Sequence, residues 1–442
     1  MISVRTPRAN RLTVVAAGAV LLAGACSEKA RTDSGGTKVA VTTVSEVVRS
    51  CDEVATIVEC MPAGSMLEPY TPEKARRASG EPITIGTINQ DTGAAGAFPE
   101  LTVADKVAVE FINTELNGVD GRPLELVTCD TGFDPNKSTA CAQRMVDEDV
   151  VAVVGGIDIW GDGIKVLEDN GIPYVGGIPV SFNSVRSPVS FQFSGGTWGA
   201  VLGEANYAVE VLGADSVAIV YGAFDPITDA AELGERYLDS VGVDVNVVTT
   251  PVIGADMVAA MNQAARSSPD AIIALTADSG CVPTIQTAAQ LEIDAVLMLT
   301  GACAAPKIIK SAGDAIEGSI FNLEADLDPD APDAALYRAI ADKYGPRFDY
   351  EVQGAGTVSF RSMMNLYAAL RDLGASNVTR DSILEFFRDA EGRPSFFGHP
   401  YTCDGDQLEG MPAICAPQQT LGRFEDGTIV QISDWIDVGA LV

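Results

Sequence analysis

From residue 83 onward, short apolar runs alternate with helical stretches, and this alternation constrains the fold more than any other feature. ITIGTI (83–88), LELVT (124–128), VVAVVGG (150–156) and IPYVGG (172–177) are continuous and rich in β-branched residues, as buried strands are. Between them, residues 100–117 place Leu101, Ala104, Ala108, Phe111 and Ile112 at helical spacing. Residues 134–148 open with Asp134 as N-cap and Pro135 in the first turn, and 161–170 reads as a third helix. A second series starts after residue 195. Helices at 197–212, 228–240, 255–266 and 282–291 lead into strands at 216–222, 243–250, 270–277 and 295–301, with a last strand at 318–324. Helices at 333–343, 354–373 and 380–389 follow. In LGRFEDGTIVQISDW (421–435), Asp426-Gly427 between alternating runs predicts a hairpin. Continuous apolar strands alternating with helices mean parallel sheets covered on both faces. The predicted fold class is therefore α/β, with two Rossmann-like lobes around a central cleft. Residues 83–195 with about 325–390 are expected to form one lobe, 196–324 the other, and 391–442 a C-terminal cystine segment and hairpin.

Ligands of such sheets bind outside the carboxyl ends of the strands. Those ends read NQDTGAAGAF (89–98), GGIDIWGDG (155–163) and GGIPVSFN (176–183) in the first lobe, and GAFDPIT (222–228), TADSG (276–280) and TGACA (300–304) in the second. They are glycine-rich, with isolated polar and aromatic residues. Glycine lets backbone amides approach a ligand, and aromatic rings supply flat apolar walls. This describes a binding pocket rather than a reaction centre. No G-x-S-x-G elbow, P-loop or complete G-x-G-x-x-G occurs. DLDPDAPDAALY (326–337) starts like a calcium loop but has Ala331 where the turn needs glycine and Tyr337 where a bidentate glutamate belongs. It reads as a solvated acidic loop. His399, the only histidine, lies in FFGHPY and reads as structural.

The amino-terminal stretch concerns location. Arg5, Arg8 and Arg11 precede an uncharged run at 12–25, shorter than the ~18–20 residues that cross a bilayer. A basic region followed by a short apolar one fits a secretory signal, 1–25. The run ends LAGAC, which resembles a bacterial lipobox, so Cys26 is expected to carry lipid and become the new N-terminus. The polar, Gly/Ser-rich stretch after it predicts a flexible tether with a small cystine loop over 26–82. The alternative is an ordinary cleaved signal. Cleavage before Cys26 leaves 26 basic against 61 acidic side chains, a formal charge of −35. That excess argues against nucleic acid and against a polybasic membrane surface. It leaves eight cysteines in local pairs: Cys51/Cys60, Cys129/Cys141, Cys281/Cys303 and Cys403/Cys415. An even count in an exported chain predicts nearest-neighbour disulfides. With no C-x-x-C and one histidine, a zinc site is not expected.

The order of these motifs carries a resemblance. A lipobox leader, then IGTINQDTGAAGAF, VEFINTELNG, GRPLELVTCDTGFDPNKSTACAQRMV and VVAVVGG, resembles the solute-binding lipoproteins of ABC importers in the branched-chain amino-acid (leucine-binding) family, across roughly 82–390. The resemblance implies the type I periplasmic-binding fold, with hinged lobes closing on a small solute and delivering it to a membrane permease. It implies an extracytoplasmic, lipid-anchored monomer with no catalysis and no cofactor. The same fold also serves ligand-sensing modules, and an exported hydrolase is a third, weaker reading. Carried over position by position, the family's contacts fall near Ile157-Asp158-Ile159-Trp160, Ile178–Ser181, Phe224 and Gly301-Ala302. The small hydroxyl residues usual after the third strand are missing, and no acid stands near 301, where Asp278 is the candidate substitute. The candidate ligand-binding residues are therefore Phe98, Asp158, Trp160, Ile178, Ser181, Phe224, Asp225 and Asp278. A carboxylate at 158 would repel a ligand carboxylate. A neutral amide, polyol or aromatic solute, or a cation facing Asp158 and Trp160, is expected instead of a standard α-amino acid. The competing readings are an N-cap for Asp158 and helix-start packing for Trp160.

Overall fold

The structure, a computed structural model, describes Cys51, residues 54–350, Val352 and residues 354–442. The expected leader and Cys26 lie outside the described residues. Strands and helices alternate as the pattern predicts. The first series is β1 (Ile83–Asn89), α1 (Pro99–Thr114), β2 (Leu124–Asp130), α2 (Pro135–Asp147), β3 (Val153–Val154), α3 (Asp162–Asp169), β4 (Tyr174–Val175), α4 (Phe182–Arg186) and β5 (Ser190–Phe191). These five strands pair in parallel in the order β2-β1-β3-β4-β5. The second series is α5 (Gly196–Glu210), β6 (Ser216–Gly222), α6 (Asp225–Ser240), β7 (Asp244–Thr250), α7 (Met257–Ala265), β8 (Ala271–Leu275), α8 (Asp278–Gln290), β9 (Val296–Leu299), α9 (Pro306–Ala312) and β10 (Ile320–Leu323).

The chain then returns to the first sheet. On α10 (Pro332–Tyr344), α11 (Gly356–Leu373) and α12 (Arg380–Arg388), Leu336, Phe360, Met363 and Phe387 share one core with Ile85 of β1 and Phe111 of α1. The last residues form β11 (Arg393–Ser395), β12 (Gly398–Tyr401), β13 (Thr420–Glu425) and β14 (Thr428–Gln431). The Asp426-Gly427 turn has positive φ at both residues, 51° and 87°, as a tight two-residue hairpin requires. Its strands extend the second sheet antiparallel, giving the order β14-β13-β10-β9-β8-β6-β7.

Two segments differ from expectation. Residues 54–82 are not a free tether where the structure describes them. Ile57, Val58 and Leu67 are buried in the first core, Glu115 accepts from the Val58 amide at 3.1 Å, and Asp333 accepts from Ser65 at 2.7 Å. Residues 391–442 are not an appendage either. Phe396 and Tyr401 fill the first core, whereas Leu408, Ile414 and Leu421 fill the second.

The four expected disulfides, Cys51–Cys60, Cys129–Cys141, Cys281–Cys303 and Cys403–Cys415, are all formed. The setting of the first and last differs from the expected tether loop and outlying cystine segment. Cys60 is buried in the first core, carried there by its apolar neighbours Ile57 and Val58, with Cys51 packed against the same core. Cys415 is buried in that core too, beside Ala416, and Cys403 packs against it. Each bond therefore closes a short loop within a terminal segment that packs against the first core, not a solvated loop. His399 stands against Trp435 with ring centroids 5.5 Å apart and donates from Nδ1 to the Pro400 carbonyl.

Glu204 on α5 is wholly buried, and burial pushes its carboxyl well above the usual 4.5. The folded protein thus keeps a proton that the unfolded chain releases, so this group's contribution to stability falls as pH rises above about 4.5. Glu204→Gln should abolish that part of the decline. Its advantage over the parent should grow by about 1.4 kcal/mol per pH unit until the native carboxyl ionises. Urea melts from pH 5 to 8 test this; parallel curves for the two proteins would refute it.

Candidate functional site

The carboxyl ends of both sheets meet at a cavity of about 1120 Å³. The Gly155-Gly156 turn shapes its first wall. Both glycines have positive φ, and a Cβ on Gly156 would stand 2.2 Å from the Ile88 carbonyl oxygen. This close turn ends β3 after two residues. It is clamped by Ser359 of α11, whose Oγ accepts from the Gly156 amide at 2.7 Å, and by Asn89, which accepts from the Ile157 amide at 3.0 Å. Beyond the turn, Ile157 and Ile159 line the cavity with Phe98, Ile178 and Val180. Phe98, Ile157 and Leu101 form one apolar cluster, against which Ala302 of the second lobe also packs. The second wall carries Phe224, Ile227, Leu275, Thr276 and Thr300.

Of the eight candidate residues, Phe98, Ile178 and Phe224 line the cavity. Asp158 does not. In an extended segment successive side chains point to opposite faces, so Ile157 and Ile159 facing inward turn Asp158 away. Asp158 is only 5% exposed. Its Oδ2 accepts from Ser138 Oγ at 2.5 Å, and Ser138 Oγ accepts from the Gly163 amide at 2.7 Å. The carboxyl, raised in pKa by burial, thus joins α2 to the start of α3. A cation, one of the solutes expected, would not meet this carboxyl from the cavity. Ser181 is spent as the N-cap of α4 in a reciprocal capping box with Ser184. Asp225 is exposed in the first turn of α6, where a carboxylate suits the helix dipole. Asp278 is met by Lys307 Nζ at 3.1 Å.

Trp160 is neither wall nor deep core. Its ring lies between Phe133 of the first lobe and Phe224 of the second, at 5.4 Å from each centroid. It backs a wall residue and joins the lobes across the cleft. Two hydrogen bonds do the same: Ser279 Oγ donates to the Ala95 carbonyl and Lys307 Nζ to the Ala97 carbonyl, both at 2.9 Å. Sequence reasoning missed the segments that close the cavity beyond the strand ends. These are Asn322 and Glu324 after β10, Tyr337 and Arg338 of α10, and Ile429 to Ser433 of the hairpin. A strand-end rule does not reach them, because they come from crossings and from the last hairpin. Among the described residues, no group of three or more metal-ligating side chains converges, and no helix is long and apolar enough to cross a membrane.

A family profile described as "Periplasmic binding protein" matches residues 82–427, most of the chain. The chain belongs to that family of solute-binding proteins. An amino acid binding protein of Pseudomonas aeruginosa is 24% identical over 315 residues, covering 67% of this chain and 80% of that protein. A fatty acid ABC transporter substrate-binding protein from Thermomonospora curvata superposes with a TM-score of 0.70 at 16% identity, covering 83% of this chain and 96% of that one. A leucine-binding protein from Thermotoga maritima gives 0.65 at 19%, covering 79% and 98%. At such identities the two structures establish a shared type I periplasmic-binding fold. The family places its members outside the cytoplasm.

Proposed function

We propose that this protein captures a small solute between its lobes and hands it to the permease of an ABC importer, held at the membrane by lipid on Cys26. The observation that carries the reading is the cavity at the facing strand ends, closed from both lobes by apolar residues, where the Ser194–Glu324 contact on its wall is taken up by Arg361 and Gln419. The fold of transporter substrate-binding proteins supports it. Binding without turnover is the activity such a cavity performs.

A thermal-shift screen of metabolites tests the capture step. A saturating solute at about 100 times its Kd should add roughly 2.7 kcal/mol of stability. Trp160 reports the event, because solute against Phe224 changes the stack behind it. Trp160→Ala should weaken capture by on the order of 1–3 kcal/mol, as loss of a packed aromatic does at an interface, and should remove most of the fluorescence change. Normal binding with an unchanged signal would show that Trp160 takes no part. Turnover of a solute by the purified protein would favour the hydrolase instead.

The anchor is tested separately. The short apolar run that ends at small residues before Cys26 motivates it. Cys26→Ser should release the protein from membranes or leave the precursor uncleaved. Normal processing with retained membrane attachment would refute lipidation.

A further inference from the structure

We infer that the solute is an uncharged, largely apolar molecule longer than any amino acid, an inference that rests on the solute-binding reading above. An α-amino acid brings an ammonium and a carboxylate, and each must find a partner when desolvated. The inner wall offers neither, being made of Phe98, Ile157, Ile159, Ile178, Val180 and Leu275. Several polar groups beside it are already engaged. Thr300 donates to the Thr276 carbonyl at 3.1 Å. Asn322 accepts from the Gly301 amide at 2.6 Å and donates to Gln419 at 3.1 Å. Glu324 is 3.3 Å from Arg361 and accepts from Ser194, the Gly195 amide and Gln419. Two candidate acids are also removed, Asp158 under α3 and Asp278 on Lys307.

Length follows from the cavity's course. Its volume exceeds the ~300–1,000 Å³ usual for drug-sized ligands. Past Glu324 its lining runs on through Leu327, Tyr337, Phe397, Ile429 and Ile432. The hydroxyls there are spent too, since Tyr337 pairs with Tyr350 at 2.6 Å and donates to the Val352 carbonyl at 3.0 Å. An elongated apolar molecule can touch both stretches of this lining, whereas a leucine-sized one reaches only one of them. Charge decides the head group. Along that stretch stand Asp326, Asp328 and Asp434 against one basic side chain, Arg338. The acidic excess disfavours a carboxylate head. Asp326 and Asp328 already accept from the Asp328 and Asp330 amides of their own turn, and Asp328 and Asp434 stand in water, so no buried carboxylate waits for an ammonium either, which leaves an ester, alcohol or amide.

The test uses the mature full-length protein and the neutral dye N-phenyl-1-naphthylamine. Its fluorescence should rise saturably, and methyl decanoate should displace it at about tenfold lower concentration than decanoate, a difference of about 1.4 kcal/mol. L-leucine should displace nothing and give no heat by calorimetry. Ile159→Asp, which sets a carboxylate on the wall, should weaken dye binding about tenfold or more. If that variant melts early, Phe224→Ala serves in its place. Decanoate binding as well as its ester overturns the uncharged head. Tight leucine binding with no dye uptake overturns the apolar class and leaves solute capture standing. Failure of every probe and of the metabolite screen sinks both.

Discussion

Serine at both Cys281 and Cys303 will lower stability by roughly 3–4 kcal/mol and will also weaken solute binding. The first effect follows from chain entropy: a cross-link over 22 residues removes that much freedom from the unfolded chain. The second follows from what the bond holds. Cys281 lies in the first turn of α8, just after the wall residues Thr276 and Ala277 and beside Asp278 and Ser279, which meet the other lobe. Cys303 lies in the turn that sets Gly301 and Ala302 on the same wall. Both cysteines are fully buried. Cutting the bond frees two wall segments from each other. The Cys129–Cys141 bond, with a separation of 12, is the control, since it joins β2 to α2 and neither cysteine lines the cavity. Its removal should cost about 3 kcal/mol and spare binding. Urea melts and dye titrations of both serine pairs decide the matter. Equal binding losses in the two variants would show that the Cys281–Cys303 bond has no special hold on the pocket.

The lobes were legible because their strands are buried on both faces and so read as unbroken apolar runs. The hairpin was legible because Asp-Gly is among the few pairs that accept positive φ at both turn positions. β5, two residues long, and β11–β12 offer no periodicity and were not anticipated. The cysteine pairing was legible from spacing, but the burial of Cys60 and Cys415 was not, since it depends on which lobe their segments dock against. The site was half legible for a related reason. Strand-end position predicted where a wall would be, and Phe98, Ile178 and Phe224 stand on it. It could not tell which polar side chains at those ends would be consumed locally. Ser181 caps its own helix, and Asp158 alternates away from two isoleucines. Ser181's role is fixed by its own helix start, whereas that of Asp158 follows the bend at Gly155-Gly156, against which α11 packs through Ser359. Of the expected solutes, a cation facing Asp158 is the one this geometry speaks against, since isoleucines take the wall in its place.

Arg361→Met will cost about 3–5 kcal/mol, because it strands a buried carboxylate. Arg361 of α11 is 2% exposed and Glu324 nearly as buried. The guanidinium donates to the Glu324 carbonyl, to the Phe193 carbonyl at 2.9 Å and to Glu324 Oε2 at 3.3 Å. Glu324 Oε1 accepts from Ser194, from the Gly195 amide and from Gln419. Residues 193–195, 324 and 419 are where the chain passes between the two sheets, so this one network ties all three crossings to α11. With the arginine gone, Glu324 keeps neutral donors but loses its counter-charge where its carboxylate is largely buried. Lysine should not rescue it, because a point charge cannot reproduce a fork that spans two carbonyls and a carboxylate. Arg361→Met with Glu324→Leu should recover part of the loss, since an apolar pair leaves no stranded charge. Urea unfolding of the single and double variants measures the coupling. If Arg361→Met melts like the parent, or the double variant is worse than the sum of the singles, the crossings are held by packing alone.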